Sequence, residues 1–361
     1  MAATLALGVL AIGAASMPAG AVTCDQQTTL PRPIPLGVSG GNINAFEKMH
    51  HQEFCFGGTL GSMVQDSSDN QYILSNNHVL ADINKATPGD LIVQPGLPEN
   101  AINCQQMPGD AVATFTRTVN IKFSGKNTID AAIAAVDPGD VSSEILNIGG
   151  IASSVTAPSV GLAVQKMGRT TCLTTGTISS ISGRFKISYG GGKVAKFVDQ
   201  ILINSPAPPN NFGGPGDSGS LIVTQDACPQ AVALLFAGSG NEEQTIANPI
   251  SDVLSGLGVS MVGSCTPTAT SETAQSDVLA GNMGMSKEVA DSAAAVRDRH
   301  EDDLMKIPGA VGTAIGMSDQ PGKPAIEVYV TKMTPQAQAA APKEVEGVPV
   351  KLIENGGFVA Y

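Results

Sequence analysis

Pro208-Pro-Asn-Asn-Phe-Gly-Gly-Pro-Gly-Asp-Ser-Gly-Ser-Leu-Ile-Val223 places one serine, Ser218, on a glycine turn between a Gly/Pro-rich loop and an apolar run. A serine at such a strand entrance projects its hydroxyl into a cleft. The glycine-flanked N–H groups beside it can point at a developing oxyanion. Gly-Asp and Ser-Gly pairs also mark ordinary turns. The rest of the chain must therefore supply a base and an acid to orient it.

The chain has 361 residues, enough for two or three domains. Aromatics make up 4% with no Trp, while Gly contributes 41 residues and Pro 23. This balance favours many short strands joined by turns over a helical bundle. A formal net charge of -12 lacks the basic footprint that phosphate binding needs, which argues against a nucleic-acid partner. The six cysteines, at 24, 55, 104, 172, 228 and 265, contain no C-x-x-C pair. They read as up to three disulfides of a secreted chain, with fifteen pairings open.

The segment Thr4–Ala14 is an apolar core too short to span a bilayer, and Ala19-Gly20-Ala21 is a small-x-small cleavage site. Residues 1–21 therefore read as a signal peptide, and the localisation as secreted or periplasmic. No other stretch is long and apolar enough for a membrane helix.

Residues 22–45 read as extended and loop-like. From there to about 265 the pattern is all-β. Strands are expected at Gln71–Ser75, Ala111–Thr118, Ala131–Val136, Ala163–Lys166 and Thr175–Ser182. Hairpins are expected at Arg184–Tyr189 with Lys193–Ile203, and at Ser220–Thr224 with Ala231–Phe236. A helix over Pro249–Leu257 is closed by Gly258. Residues 266–285 form a polar linker. Residues 286–361 then read as a small α+β unit in the order helix–strand–strand–helix–strand. Its first helix, Ser286–Met305, carries Val289, Ala293, Val296 and Leu304 on an apolar face, and Arg297 falls among the charged residues of its surface. Thr334-Pro335 opens the second helix.

Four histidines compete for the role of base. His300 lies on the charged helix, and His50 and His51 in a polar stretch. His78, in Leu74-Ser-Asn-Asn-His-Val-Leu-Ala81, stands at the mouth of an apolar strand and is the natural base. Asp130, in Asn127-Thr-Ile-Asp-Ala-Ala-Ile-Ala-Ala-Val136, is an acid entering an apolar strand, where it can be shielded from water. Asp110, Asp137 and Asp140 lie in turn contexts. The order of the constellation is His78, Asp130, Ser218.

This order, the strand-end histidine, the Asp-Ala-Ala-Ile strand and Gly216-Asp-Ser-Gly-Ser220 resemble the chymotrypsin-like serine proteases. Gly168-Arg-Thr-Thr171 and Gly176-Thr-Ile178 are similar to blocks of the bacterial alpha-lytic-type branch. The resemblance covers roughly residues 35–262. It implies an all-β fold of two antiparallel β-barrels, about 35–138 and 139–262, within a protease domain of 22–265 that ends in a helix. It implies that Ser218 attacks a scissile carbonyl, His78 shuttles the proton and Asp130 holds the imidazole. The backbone N–H groups of Gly216 and Ser218 would form the oxyanion hole. Neither cofactor nor metal is required, and the partners would be protein or peptide substrates, with no nucleic acid and no membrane.

The chain departs from the family at Ser220, where the last Gly of the motif is usual, and at Val79, where many members carry Cys. Cys55 must therefore pair elsewhere; Cys55–Cys104 and Cys172–Cys228 are the expected bridges. No Ile-Val-Gly-Gly start is present, so Asp217 should find its partner within the folded chain. By the motif the substrate pocket has Phe212 at its base and is walled by Phe236, Gly238 and Thr245. With no acid at the base, a small or apolar P1 residue is expected. A catalytically inactive, protease-like binding or scaffold protein is the alternative reading.

Two weaker sites complete the reading. His50, His51, Glu53 and Cys55 are metal-ligand types that fit no zinc template. Asp66, Asp69 and Asn70 read as a turn. The 286–361 unit reads as a regulatory or substrate-recruiting module, binding either the protease domain or a protein partner. Sandwiches of this element order also resemble protease propeptides, which would place the apolar Phe358-Val-Ala-Tyr361 in the cleft.

Overall fold

The computed structural model describes residues 24–49, 52–100, 104, 110–205, 211–267 and 285–361. The signal-peptide segment, most of the linker, and His50 and His51 lie outside the described residues.

The first barrel is antiparallel. Its strands run Ser62–Gln65, Gln71–Ser75, Ala132–Val136, Ala111–Thr118, Leu91–Val93, Val38–Asn42 and Gly58–Leu60 in spatial order. Gly58–Leu60 and Ser62–Gln65 flank Gly61, so one bent segment closes the ring. Leu60, Ile73, Leu74, Ile92 and Ile133 fill its core. The described part of the expected loop, residues 24–45, is more ordered than its composition suggests, because Ile34–Leu36 and Val38–Asn42 are strands. Gly40 accounts for the misreading. A Cβ there would meet the Leu60 side chain at 2.5 Å, so glycine marks close packing and not a loop.

The second barrel closes fully. Ala163–Gly168 pairs with Cys172–Ser188, which pairs in turn with Val194–Asn204, Gln244–Pro249, Ala231–Ser239 and Leu221–Thr224, and the last returns to Ala163–Gly168. The expected strands Thr175–Ser182 and Arg184–Tyr189 are parts of a single 17-residue strand, bent by register shifts between Ile178 and Phe185. Helix Ile250–Leu257 buries Ile250, Val253 and Leu257 at helical spacing, each worth about 1.5–3 kcal/mol. It ends at Gly258 in the left-handed conformation, as expected.

The C-terminal region follows the expected order: helix Lys287–Leu304, strands Ala310–Met317 and Pro324–Val330, helix Pro335–Ala340 and strand Val348–Glu354. Ser286 and Thr334 cap the two helices. Two residues of the long helix change sides. Val289 is 37% exposed, whereas Arg297 is only 1% exposed. The reason is the neighbour that helix packs against. Ala310–Met317 pairs with Cys172–Ser188, so the second barrel's sheet continues into the C-terminal region. Arg297 then donates to the carbonyl of Ser182 at 2.7 Å and to Asp298 at 2.7 Å. Buried Glu327 accepts from Ser180 at 2.5 Å across the same seam.

Three disulfides are present: Cys24–Cys172, Cys55–Cys104 and Cys228–Cys265. The Cys55–Cys104 expectation holds and Cys172–Cys228 is replaced. Gln26 and Gln27 both donate to the Arg169 carbonyl, so the N-terminal segment runs beside Cys172 and brings Cys24 to it. Ala152 bridges Cys265, which brings that cysteine toward Cys228. With Cys55 in a disulfide, its thiolate is not available as a metal ligand.

Candidate active site

The two barrels meet where their strand ends converge. His78 lies in a short helical turn, Asn77–Leu80, just after Gln71–Ser75. Asp130 stands two residues before Ala132–Val136, which pairs with Gln71–Ser75. That pairing brings the two side chains together. His78 Nδ1 lies 2.6 Å from Asp130 Oδ2, and the His78 N–H donates to Oδ1 at 3.3 Å. Asp130 is fully buried, and its own backbone is anchored by Asn76 and Asn248.

A third donor has no local signature in the sequence. Tyr189, at the end of the 17-residue strand, donates its hydroxyl to the same Asp130 oxygen at 2.7 Å. Its ring stands edge-on to the His78 ring at 5.9 Å. Burial first, then the Asp130 charge, holds the Tyr189 hydroxyl well above its ordinary titration range. It therefore remains a donor at any physiological pH.

Ser218 comes from the second barrel, on the turn before Leu221–Thr224. Gly216 has φ +100°, which a side chain would strain, and a Cβ there would also run into Arg169 and Thr170. Among the described residues, the N–H groups of Gly216 and Ser218 donate to no other group. The turn is locked to the first barrel by the Thr59 N–H donating to the Ser218 carbonyl at 2.8 Å.

Asp217 has its partner inside the chain, as expected. Lys166 Nζ lies 3.4 Å from Asp217 Oδ2, and both side chains are completely buried. The carboxylate also accepts from the N–H groups of Thr170, Thr171 and Gly214 and from the Thr171 hydroxyl. Burial pushes the Lys166 ammonium below its ordinary range, and the Asp217 charge opposes that shift. Lys166 went unnoticed because it sits in the strand Ala163–Gly168, where its inward alternation is the only sign.

The cleft is occupied by the chain itself. Phe358–Ala360 forms a strand between the edge of Ala231–Ser239, where Val359 pairs with Gly238, and the end of Cys172–Ser188. The Tyr361 N–H donates to the Phe236 carbonyl at 3.2 Å, and the Tyr361 main-chain oxygen lies 3.0 Å from His78 Nε2. Two acceptors do not bond, so Nε2 carries a proton there. With Nδ1 on a carboxylate, both ring nitrogens face acceptors, an arrangement that favours the imidazolium. Burial alone pushes His78 down, but the Asp130 charge, its hydrogen bond and the Tyr361 oxygen together hold it above its ordinary value. Ser218 meanwhile donates to the Phe236 carbonyl at 3.1 Å, and no described hydrogen bond joins it to His78.

The expected pocket residues surround the Tyr361 side chain unevenly. Phe212 is buried in one cluster with it. Gly238 lies directly against its ring, and Thr245 is the cross-strand partner of Gly238. Phe236 contributes its carbonyl and turns its ring toward Phe197.

Two antiparallel barrels carry His78 and Asp130 on the first and Ser218 on the second. The fold is that of the chymotrypsin-like serine proteases. Solved structures similar to the chain include a glutamic-acid-specific serine protease, at 17% identity and TM-score 0.42, covering 63% of this chain and 100% of that one. Protease A of Thermobifida fusca matches at 17% and 0.41 over 64% of this chain and 100% of its own. Chymotrypsin of Cellulomonas bogoriensis matches at 20% and 0.39 over 64% and 100%. No family model and no curated protein matches the chain.

Proposed function

We propose that the protein is a secreted or periplasmic serine endopeptidase acting through an acyl-enzyme. The observation that carries this reading is the buried Asp130–His78 pair at 2.6 Å, set at the cleft beside a serine on a positive-φ glycine turn. Ser218 attacks the scissile carbonyl once His78 takes its proton. Asp130 fixes the imidazole with Nδ1 protonated and stabilises the imidazolium that forms. The N–H groups of Gly216 and Ser218 receive the oxyanion, each such donor being worth about 2.7–4 kcal/mol in the transition state. The three disulfides support an oxidising compartment. Among the described residues no helix is long and apolar enough to cross a membrane.

The alternative is a catalytically inactive binding or scaffold protein. The Ser218 hydrogen bond to Phe236, in place of His78, is the observation in its favour. In the endopeptidase reading that arrangement belongs to the occupied cleft, because the Tyr361 oxygen takes the position at Nε2. Hydrolysis of a protein substrate by the chain freed of residues 358–361, abolished in Ser218→Ala, distinguishes the two. No hydrolysis by the folded protein favours the scaffold.

Tyr189 acts as a positioning residue in this reading. Tyr189→Phe keeps the ring and removes one donor to a buried carboxylate. It is expected to lower kcat/KM by about tenfold, in line with a hydrogen bond to a charged group. With one donor fewer on it, the Asp130 charge acts more fully on His78 and holds it protonated to higher pH, so the acidic limb of the pH profile moves upward. An unchanged rate and an unshifted limb would remove this role.

A further inference from the structure

We propose that the cleft is built for peptides with an aromatic residue, Tyr or Phe, at P1, and that Phe358–Tyr361 occupies it as a substrate mimic. The inference rests on the endopeptidase reading and deepens it by naming the substrate class.

The backbone argument comes first. A substrate in such a cleft adds an antiparallel strand to the wall beside the nucleophile. Phe358–Ala360 does this on Ala231–Ser239, and the Tyr361 N–H continues the ladder to Phe236. The main-chain oxygen of Tyr361 reaches the catalytic His78 at 3.0 Å. Tyr361 therefore stands at P1, the residue whose carbonyl is attacked. Ala360, Val359 and Phe358 stand at P2, P3 and P4.

The side chains then set the preference. Tyr361 is buried in one apolar cluster with Val164, Ile178, Phe212 and Ala247. Phe212, the residue expected at the pocket base, has the Lys166 ammonium 6.0 Å from its ring. A Cβ at Gly238 would lie 1.9 Å from Tyr361 Cζ, so only glycine leaves space for a ring. The Tyr361 hydroxyl is buried and has no hydrogen-bond partner among the described residues, so the pocket selects the ring over the hydroxyl and Phe fits as well. Glu242 and Asp217 lie close enough to oppose a negative charge there, which disfavours an acidic P1. Val359 is 38% exposed and exerts little selection. Phe358 packs on Phe185 and on Tyr329, the latter from the C-terminal region itself, so that P4 contact is not offered in full to a separate substrate.

The tether completes the argument. Residues 286–361 continue the barrel's sheet, which holds the segment at a high effective concentration beside the cleft. A free peptide must displace it. The full chain is therefore the slower form.

The test compares three proteins: the full chain, the chain lacking residues 358–361, and the full-length Tyr361→Asp, which keeps the Phe358 packing should the deletion disturb folding. Each is assayed with Val-Ala-Xaa anilides, where Xaa is Tyr, Phe, Ala, Glu or Arg, and is labelled with a fluorophosphonate. In both altered forms Tyr and Phe are expected within about tenfold of each other and about 10²-fold above the others, from burial of the ring. Both forms are expected at least about tenfold faster than the full chain. Preference for Ala, Glu or Arg, or no gain in either altered form, overturns the inference. If Ser218 is labelled in that case, the endopeptidase reading survives. Absence of labelling in all three folded proteins overturns both.

Discussion

Asp130→Asn, measured in the chain lacking residues 358–361, is expected to lower kcat by about 10⁴-fold while the protein stays folded. The size follows from how completely Asp130 is committed. Its Oδ2 accepts from His78 Nδ1 at 2.6 Å and from Tyr189 at 2.7 Å, and Oδ1 accepts from the His78 N–H at 3.3 Å. An amide is isosteric but presents an NH₂ group to one of these sets of donors. If that group faces Nδ1, the imidazole keeps its proton on Nε2 and is no longer a base toward Ser218. If it faces the other way, the negative charge that stabilises the imidazolium is still gone. Asp130 is fully buried, so bulk solvent does not screen the loss. A loss of less than tenfold would mean that Asp130 is a structural acid and that the base is held in another way.

Lys166→Met is expected to cost about 3–5 kcal/mol of stability, because it leaves the buried Asp217 without its countercharge. That is a large share of the 5–15 kcal/mol available to a typical domain. The Lys166 and Asp217 side chains are both inaccessible, and Lys166 also donates to the Thr171 hydroxyl and to the Cys172 carbonyl at 3.1 Å. Methionine fills a similar volume, so the loss reports the charge. Asp217 adjoins both Gly216 and Ser218, so a shift of its carboxylate moves the proposed nucleophile and both proposed oxyanion donors. Lower kcat/KM should accompany lower stability. Urea unfolding of Lys166→Met, Asp217→Asn and the double variant forms the check. The double variant should cost less than the sum of the singles by at least about 2 kcal/mol, as expected of groups in contact. Additive costs, or a single-variant loss under about 1 kcal/mol, would show that the neighbouring N–H donors alone hold Asp217.

The parts of the protein visible in the sequence are those with local signatures. Gly216–Gly219, the strand-end His78 and the acid entering Ala132–Val136 each carry their context within about ten residues. Helix ends were equally readable, since Ser286, Thr334 and Gly258 act on the next few residues only. What escaped depends on contacts between distant segments. Tyr189 is 59 residues from Asp130 and meets it only because the strand Cys172–Ser188 is continuous. Cys24 reaches Cys172 across 148 residues through an N-terminal segment that looked like a loop. Arg297 reads as a surface charge and Lys166 only as the end of a strand, since burial of a paired cation leaves almost no local pattern. Phe358–Ala360 is three residues long and follows two glycines, too short for alternation to show. Its apolar character nevertheless points to the cleft, and there the expectation of a small or apolar P1 side chain narrows to an aromatic one under the proposed substrate class.

The most direct measurement of the central claim is fluorophosphonate labelling of the folded chain lacking residues 358–361, with the modified residue mapped by mass spectrometry. The endopeptidase reading predicts stoichiometric modification at Ser218, lost in Ser218→Ala and in His78→Ala. No modification, or modification elsewhere that persists in Ser218→Ala, would contradict it.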